Sequence, residues 1–94
     1  MKITFDIAAN DDLDRIFAWI KKDNPQAALE TIARIKARVE TLATPGLARM
    51  GRPGRDRGTY ELVEAPYVIV YEVDEERNEI VILSVVHGAQ RRKR

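Results

Sequence analysis

Asp23-Asn24-Pro25 interrupts a long helical pattern and restarts it. Proline cannot sit inside a helix, because it lacks the backbone N–H and its ring collides with the preceding turn; at the first helical position it costs nothing. Asn24 before it is a favoured N-cap. On the N-terminal side, Leu13, Ile16, Phe17 and Ile20 recur at helical spacing, which predicts a first helix from about Ala9 to Lys22. On the C-terminal side, Leu29, Ile32, Ile35, Val39 and Leu42 make the apolar stripe of a second. A link this short allows the helices little choice but to fold back as antiparallel neighbours, a helical hairpin spanning about residues 9–42.

The periodicity changes on either side of that hairpin. Lys2–Ile7 alternates polar and apolar, with Ile3, Phe5 and Ile7 on one face, and predicts a first strand. Pro45, Gly46, Gly51, Pro53 and Gly54 stop regular structure across residues 43–57. Three strand signals follow within 58–87: Thr59–Glu64, Tyr67–Val73 and Ile80–Val86. Pro66 suits a strand start, and Asp74–Glu79 reads as a polar hairpin loop. The order β-α-α-β-β-β implies one α+β domain over 1–94. The helical hairpin would cover one face of an antiparallel-rich sheet in two layers. The last two strands are apolar on both faces and are expected at the centre of the sheet; alternation alone does not say which face meets the helices.

The chain has 94 residues, no cysteine and one histidine, His87. It therefore has no disulfide framework, no thiolate nucleophile and no multi-histidine metal site, and no cofactor is implied. No apolar run approaches the roughly 20 residues needed to span a bilayer, and the N-terminus turns acidic early for a signal peptide, so a soluble cytoplasmic domain is expected. The net charge of +1 conceals segregation. Residues 49–57 carry four arginines against one aspartate, 58–90 carry seven acids against Arg77, and 91–94 read Arg-Arg-Lys-Arg. Basic charge is gathered in one Gly/Pro loop and one tail (88–94), a pattern suited to a phosphate-rich or acidic partner.

Three stretches together resemble the RelE/ParE superfamily of type II toxin–antitoxin toxins: DDLDRIFAWIKKDNPQAALETIARIKARVETLATP, GRPGRDRGTYELVEAPYVIVYEV and VILSVVHGAQRR. The resemblance covers almost the whole chain. It implies the two-layer β-α-α-β-β-β toxin fold and a cognate antitoxin partner whose disordered segment folds onto the toxin, with the apolar sheet face and helix grooves available to it. It also implies one of two activities: RelE-like members are ribosome-dependent endoribonucleases that cut mRNA, whereas ParE-like members poison DNA gyrase.

Cleavage by a ribose 2′-hydroxyl needs a group to take its proton, a cation for the phosphate and a donor for the leaving oxygen. The RelE-like strand lysines would fall at Glu61 and Val63, the next arginine at Val68, and the last near Gly88; no Tyr or Phe follows Tyr71. The chain departs from the nuclease pattern at nearly every such position, so the reading leans to ParE-like binding rather than catalysis. If it is a nuclease, His87 with Arg91 and Arg92 is the remaining candidate set, since histidine titrates near neutral pH. The expected target-binding residues are Arg52, Arg55 and Arg57 in the loop and His87, Arg91, Arg92, Lys93 and Arg94 at the end, with Arg49 beside the first group. Tyr60, Tyr67 and Tyr71 are expected to be sheet core rather than platforms for stacking bases, and Trp19, off the helical stripe, is expected to pack on the loop rather than to meet a partner.

Overall fold

The computed structural model describes residues 1–88. Strand β1 (Lys2–Phe5) leads into helices α1 (Ile7–Lys21) and α2 (Pro25–Glu40), and α2 closes in a 3-10 turn, Thr41–Ala43. The sheet continues with β2 (Arg52–Pro53), β3 (Thr59–Glu64), β4 (Tyr67–Asp74) and β5 (Glu79–His87). Its order is β1-β5-β4-β3-β2. β1 runs parallel to β5, and the remaining pairs are antiparallel. The expected pair of central strands, β4 and β5, lies inside the sheet, because both carry apolar residues on two faces.

Local chemistry sets the helix starts. Asp6 adopts an extended backbone and accepts a hydrogen bond from the Ile7 N–H at 2.9 Å, so the first strand stops at Phe5, two residues earlier than alternation predicts. Ile7 becomes the first helical residue and points outward, 77% exposed, rather than continuing the face of Ile3 and Phe5. At the second start, Asn24 Oδ1 accepts from the Ala27 N–H at 3.0 Å, with Pro25 directly after the cap. Asn24→Ala should cost about 1 kcal/mol and lower the urea midpoint at unchanged slope, because it orphans one amide without altering the core.

The core joins Leu13 of α1 and Ile35 and Val39 of α2 to Leu62, Ile69, Tyr71, Ile80, Ile82 and Val85 of the sheet. Tyr71 is fully buried and stacks on Tyr60 at 5.4 Å, while Tyr60 and Tyr67 are half-buried against the same cluster. The helix-facing side of the sheet therefore carries Tyr60 and Leu62, Tyr67, Ile69 and Tyr71, and Ile80 and Ile82. Beyond Ile82 the register shifts: Tyr71 pairs with Ile82, but Val70 pairs with Ser84. Leu83 is the extra residue of a β-bulge, and the bulge hands the inward face from even to odd positions. Val85 enters the core because of it, and His87 follows on the same face.

Two further expectations change. Leu29 is 57% exposed; α2 turns Ala28, Thr31, Ile35 and Val39 inward, and Leu29 lies about 100° around the helix from Ala28. The Gly/Pro segment holds one regular piece, β2, with Arg52 opposite Glu61 and Pro53 opposite Tyr60. Pro53 fits because β2 is the sheet edge, where no N–H is required on the outer side.

Candidate functional site

Between α1 and the C-terminal end of β5 lies an open groove of about 880 Å³. From α1 and its C-cap it takes Asp12, Arg15, Ile16, Trp19 and Lys22, whose spacing puts them on one side of the helix. From the sheet it takes Tyr67, Val85, Val86 and His87. β1 ends at Phe5, opposite Ile82, so the last residues of β5 have no strand beside them on that edge. α1 takes the vacant place.

Asp12 is the tie. Its Oδ2 accepts the Val85 N–H at 2.9 Å, and its Oδ1 is bonded by the Arg15 guanidinium one turn on. The Asp12 side chain is only 13% exposed, whereas that of Arg15 is 71% exposed. A carboxylate thus replaces a strand carbonyl at the sheet edge and is itself balanced by a cation at the rim. His87 stands against Tyr67 edge-on, with ring centroids 5.7 Å apart. Trp19 is 72% exposed, with Lys22 Nζ 5.2 Å from its ring centroid. It lines this groove rather than packing on the basic loop, because its helical position faces β5 and not residues 43–57.

The basic loop forms a separate structure. Arg49 pairs with Glu75 of the β4–β5 turn, and that carboxylate raises the guanidinium's pKa further. Arg52 Nε bonds Glu61 Oε1 at 3.0 Å, and Glu61 is almost wholly buried. Two of the loop's arginines therefore meet acids of the same chain. Arg55 and Arg57 precede Thr59, which pairs with Glu72, itself opposite Val81. His87 lies six residues further along β5, roughly 20 Å away at strand spacing. The fold places Arg55 and Arg57 at one end of the sheet and His87 at the other. Arg91, Arg92, Lys93 and Arg94 lie outside the described residues.

The sheet face turned away from the helices carries Glu61 and Val63 on β3 and Val68 and Val70 on β4. These include the three positions where the resemblance to RelE-like nucleases would require cations. Val68 is buried and Val63 is 44% exposed. The groove residues Asp12, Arg15, Trp19 and Lys22 were not recognised as a set from the sequence. Their signal was the 12/15/16/19/22 spacing; what it lacked was the partner surface, since Val85 is 73 residues from Asp12. Among the described residues, no group of three or more His, Cys, Asp or Glu could hold a metal ion, and no helix is long and apolar enough to cross a membrane.

A two-layer α+β fold of a helical hairpin on a five-stranded mixed sheet is the architecture of the RelE/ParE toxins. The chromosomal ParDE toxin–antitoxin system from P. aeruginosa contains a chain of this fold, with a TM-score of 0.82 and 27% identity, covering 93% of this chain and 95% of that one. The RelBE2 toxin–antitoxin complex from Mycobacterium tuberculosis shares the fold at TM-score 0.62 and 24% identity, with 92% and 95% covered. A protein of Sinorhizobium fredii (strain NBRC 101917 / NGR234) named "Putative toxin Y4kP" is 41% identical over 91 residues, which is 95% of this chain and 90% of that protein. The model of the family described as the ParE toxin of the type II toxin–antitoxin system, parDE, matches residues 3–92. The chain belongs to this ParE toxin family.

Proposed function

We propose that this chain inhibits growth when free, is neutralised by a cognate antitoxin, and acts by binding DNA gyrase rather than by cutting RNA. The observation that carries the choice of target is the sheet face opposite the helices. A nuclease working there must stabilise negative charge on a phosphate at the moment of cleavage. Valine supplies no donor at positions 63 and 68, and Glu61 is a buried carboxylate held by Arg52 rather than a cation. Catalytic cations at these positions are replaced by groups that cannot do the work, while the scaffold around them is intact. Target contacts are assigned to Arg52, Arg55 and Arg57 and to the end of the chain, His87 and Arg91–Arg94.

The test is dual pulse-labelling after induction without antitoxin, following thymidine and methionine incorporation in one culture. Thymidine incorporation is expected to fall first, and a chain ending at Gln90 should lose this effect while keeping its thermal midpoint. Methionine falling first would overturn the gyrase reading. It would favour the second reading, an mRNA endonuclease, which rests on the position of His87 beside Tyr67 in the groove that Arg15 also lines; His87→Ala would then abolish RNA cleavage.

A further inference from the structure

We propose that the outer edge of β3 binds the phosphate backbone of duplex DNA through Arg34 and Arg38 of α2 together with Arg52 of β2. This rests on the reading above that the target is gyrase, an enzyme that holds DNA, and it names what the basic edge of this chain touches there.

The edge exists because β2 is short. β2 pairs only opposite Tyr60 and Glu61, so among the described residues 62–64 have no strand beside them. α2 closes over the gap from the helix side. Arg38 Nε donates to the Val63 carbonyl oxygen at 3.5 Å and lies 3.9 Å from Glu64 Oε1, and Arg34 Nε lies 3.7 Å from Glu64 Oε2. Arg34 and Arg38 are one turn apart and share a flank of α2. From the opposite face of the sheet, Arg52 Nε donates to Glu61 Oε1 at 3.0 Å. Guanidinium groups thus reach one edge from both faces.

All three are held through Nε, whereas Arg15 and Arg49 give a terminal amino group to their acids. The terminal pair is left for a second acceptor, and two parallel N–H bonds from one guanidinium are the geometry that fits a phosphate. The acids lie beneath the cations. The side chains of Arg34, Arg38 and Arg52 are 53%, 39% and 58% exposed, against 26% for Glu64 and 4% for Glu61. The acids therefore fix the arginines in place while the outer layer stays cationic, and Glu64 serves two arginines with one charge. Arg55 and Arg57 continue the row beyond Thr59. With them the edge carries five cations against Asp56, Glu61 and Glu64, a surplus of two.

Spacing selects the partner. A strand advances about 3.3 Å per residue, so Glu61 to Glu64 spans about 10 Å. Phosphates on one strand of duplex DNA recur about every 3.4 Å along the axis, so this span faces about three of them. Single strands are held by bases stacked on aromatic rings. Tyr60, the aromatic residue of β3, is instead packed against the core and stacked on Tyr71. Recognition is of the backbone and independent of sequence.

The probe is a fluorescein-labelled duplex of about 30 base pairs, read by anisotropy with the full-length chain over a range of salt concentrations. Combining Arg34→Gln with Arg38→Gln removes two phosphate contacts. The slope of log affinity against log salt should shrink by about 1.8, and affinity at about 0.1 M salt should fall about 60-fold. Combining Lys21→Gln with Lys36→Gln removes the same charge away from the edge and should leave both quantities nearly unchanged; Lys36 lies on the other side of the inward-facing Ile35 from Arg34. The basic tail is common to every chain compared, so its contribution cancels. Lysine at both positions 34 and 38 keeps the charge but loses the fork, and should weaken binding several-fold at an unchanged slope. Circular dichroism checks that each variant is folded.

Undiminished binding in the arginine pair, or an equal loss in the lysine pair, would overturn the proposal. So would tighter binding to a single-stranded oligonucleotide of the same length or to polyglutamate, which would make the partner a single strand or an acidic protein. The target is tested apart from the surface. If methionine incorporation falls first after induction while the arginine pair still loses duplex binding, the gyrase reading falls and the DNA surface stands. If the arginine pair loses duplex binding yet depresses thymidine incorporation as strongly as the original chain, gyrase is met elsewhere and the role of this edge at the target falls.

Discussion

Replacing Tyr71 with alanine is expected to cost about 3–5 kcal/mol, a third or more of the stability of a domain this size. Tyr71 is the largest side chain fully withdrawn from water. It fills the centre of the sheet's inner face and stacks on Tyr60 at 5.4 Å. Its hydroxyl, 3.1 Å from the Gly51 backbone N–H, accepts that hydrogen bond. One residue thus joins the core to the Gly/Pro loop. Gly51 must be glycine for the same reason: a Cβ there would stand 2.7 Å from the Glu61 carbonyl oxygen and 2.9 Å from the Tyr71 hydroxyl. The variant Tyr71→Phe separates the two contributions. It keeps the ring, loses the acceptor, and should cost about 1 kcal/mol.

Tyr71 also gives a pH signature. Burial pushes its phenol above the ordinary value, and the hydrogen bond from Gly51 offsets part of that rise. The unfolded chain then ionises at a lower pH than the folded one. The contribution is intact below about pH 10, the ordinary tyrosine value, and is lost as pH rises through the folded value. Urea midpoints measured across this alkaline range should fall less steeply for Tyr71→Phe than for the original chain.

Asp12→Ala is expected to cost about 2 kcal/mol, because it leaves the Val85 N–H without its acceptor at a partly buried edge. Asp12→Asn retains an acceptor oxygen and should cost less. The distinguishing readout is amide hydrogen exchange. Val85 should be protected in the original chain and in Asp12→Asn, and should exchange much faster in Asp12→Ala. Protection unchanged in the alanine variant would show that α1 shields this edge by packing alone.

The helical hairpin was legible because every determinant is local. The stripes at 13/16/17/20 and 32/35/39/42, the Asn24 cap and Pro25 act within one or two turns. The strand signals at 59–64, 67–73 and 80–86 were legible for a similar reason, since β-branched and aromatic runs between turn residues specify strands wherever they later pair. Errors fell at the ends and edges. Ile7 continued an alternating pattern but was claimed by the Asp6 cap. Leu29 extended a stripe, but the inward side of α2 is the one that carries Ala28, Thr31, Ile35 and Val39. Arg52–Pro53 had no strand pattern of its own and became β2 only because Glu61 and Tyr60 lie opposite.

The candidate site divides the same way. His87 was found as a single residue of suitable chemistry, and Arg52, Arg55 and Arg57 as a cluster of charge. Their positions relative to one another came from the sheet, which sets the loop and His87 at opposite ends and neutralises Arg49 and Arg52 against Glu75 and Glu61.

By itself, the sequence determined the element types, their order, the antiparallel hairpin of helices and the lack of cations at positions 61, 63 and 68. Periodicity, capping and side-chain identity are properties of neighbouring residues, and they survive any arrangement of the rest. The tertiary structure alone decided the inward face of the sheet, where a one-residue bulge at Leu83 exchanges the parity and brings Val85 and His87 to the helix side. It also decided the groove, because Asp12 and Val85 meet across 73 residues of chain and only the ending of β1 at Phe5 leaves α1 room to reach the edge of β5.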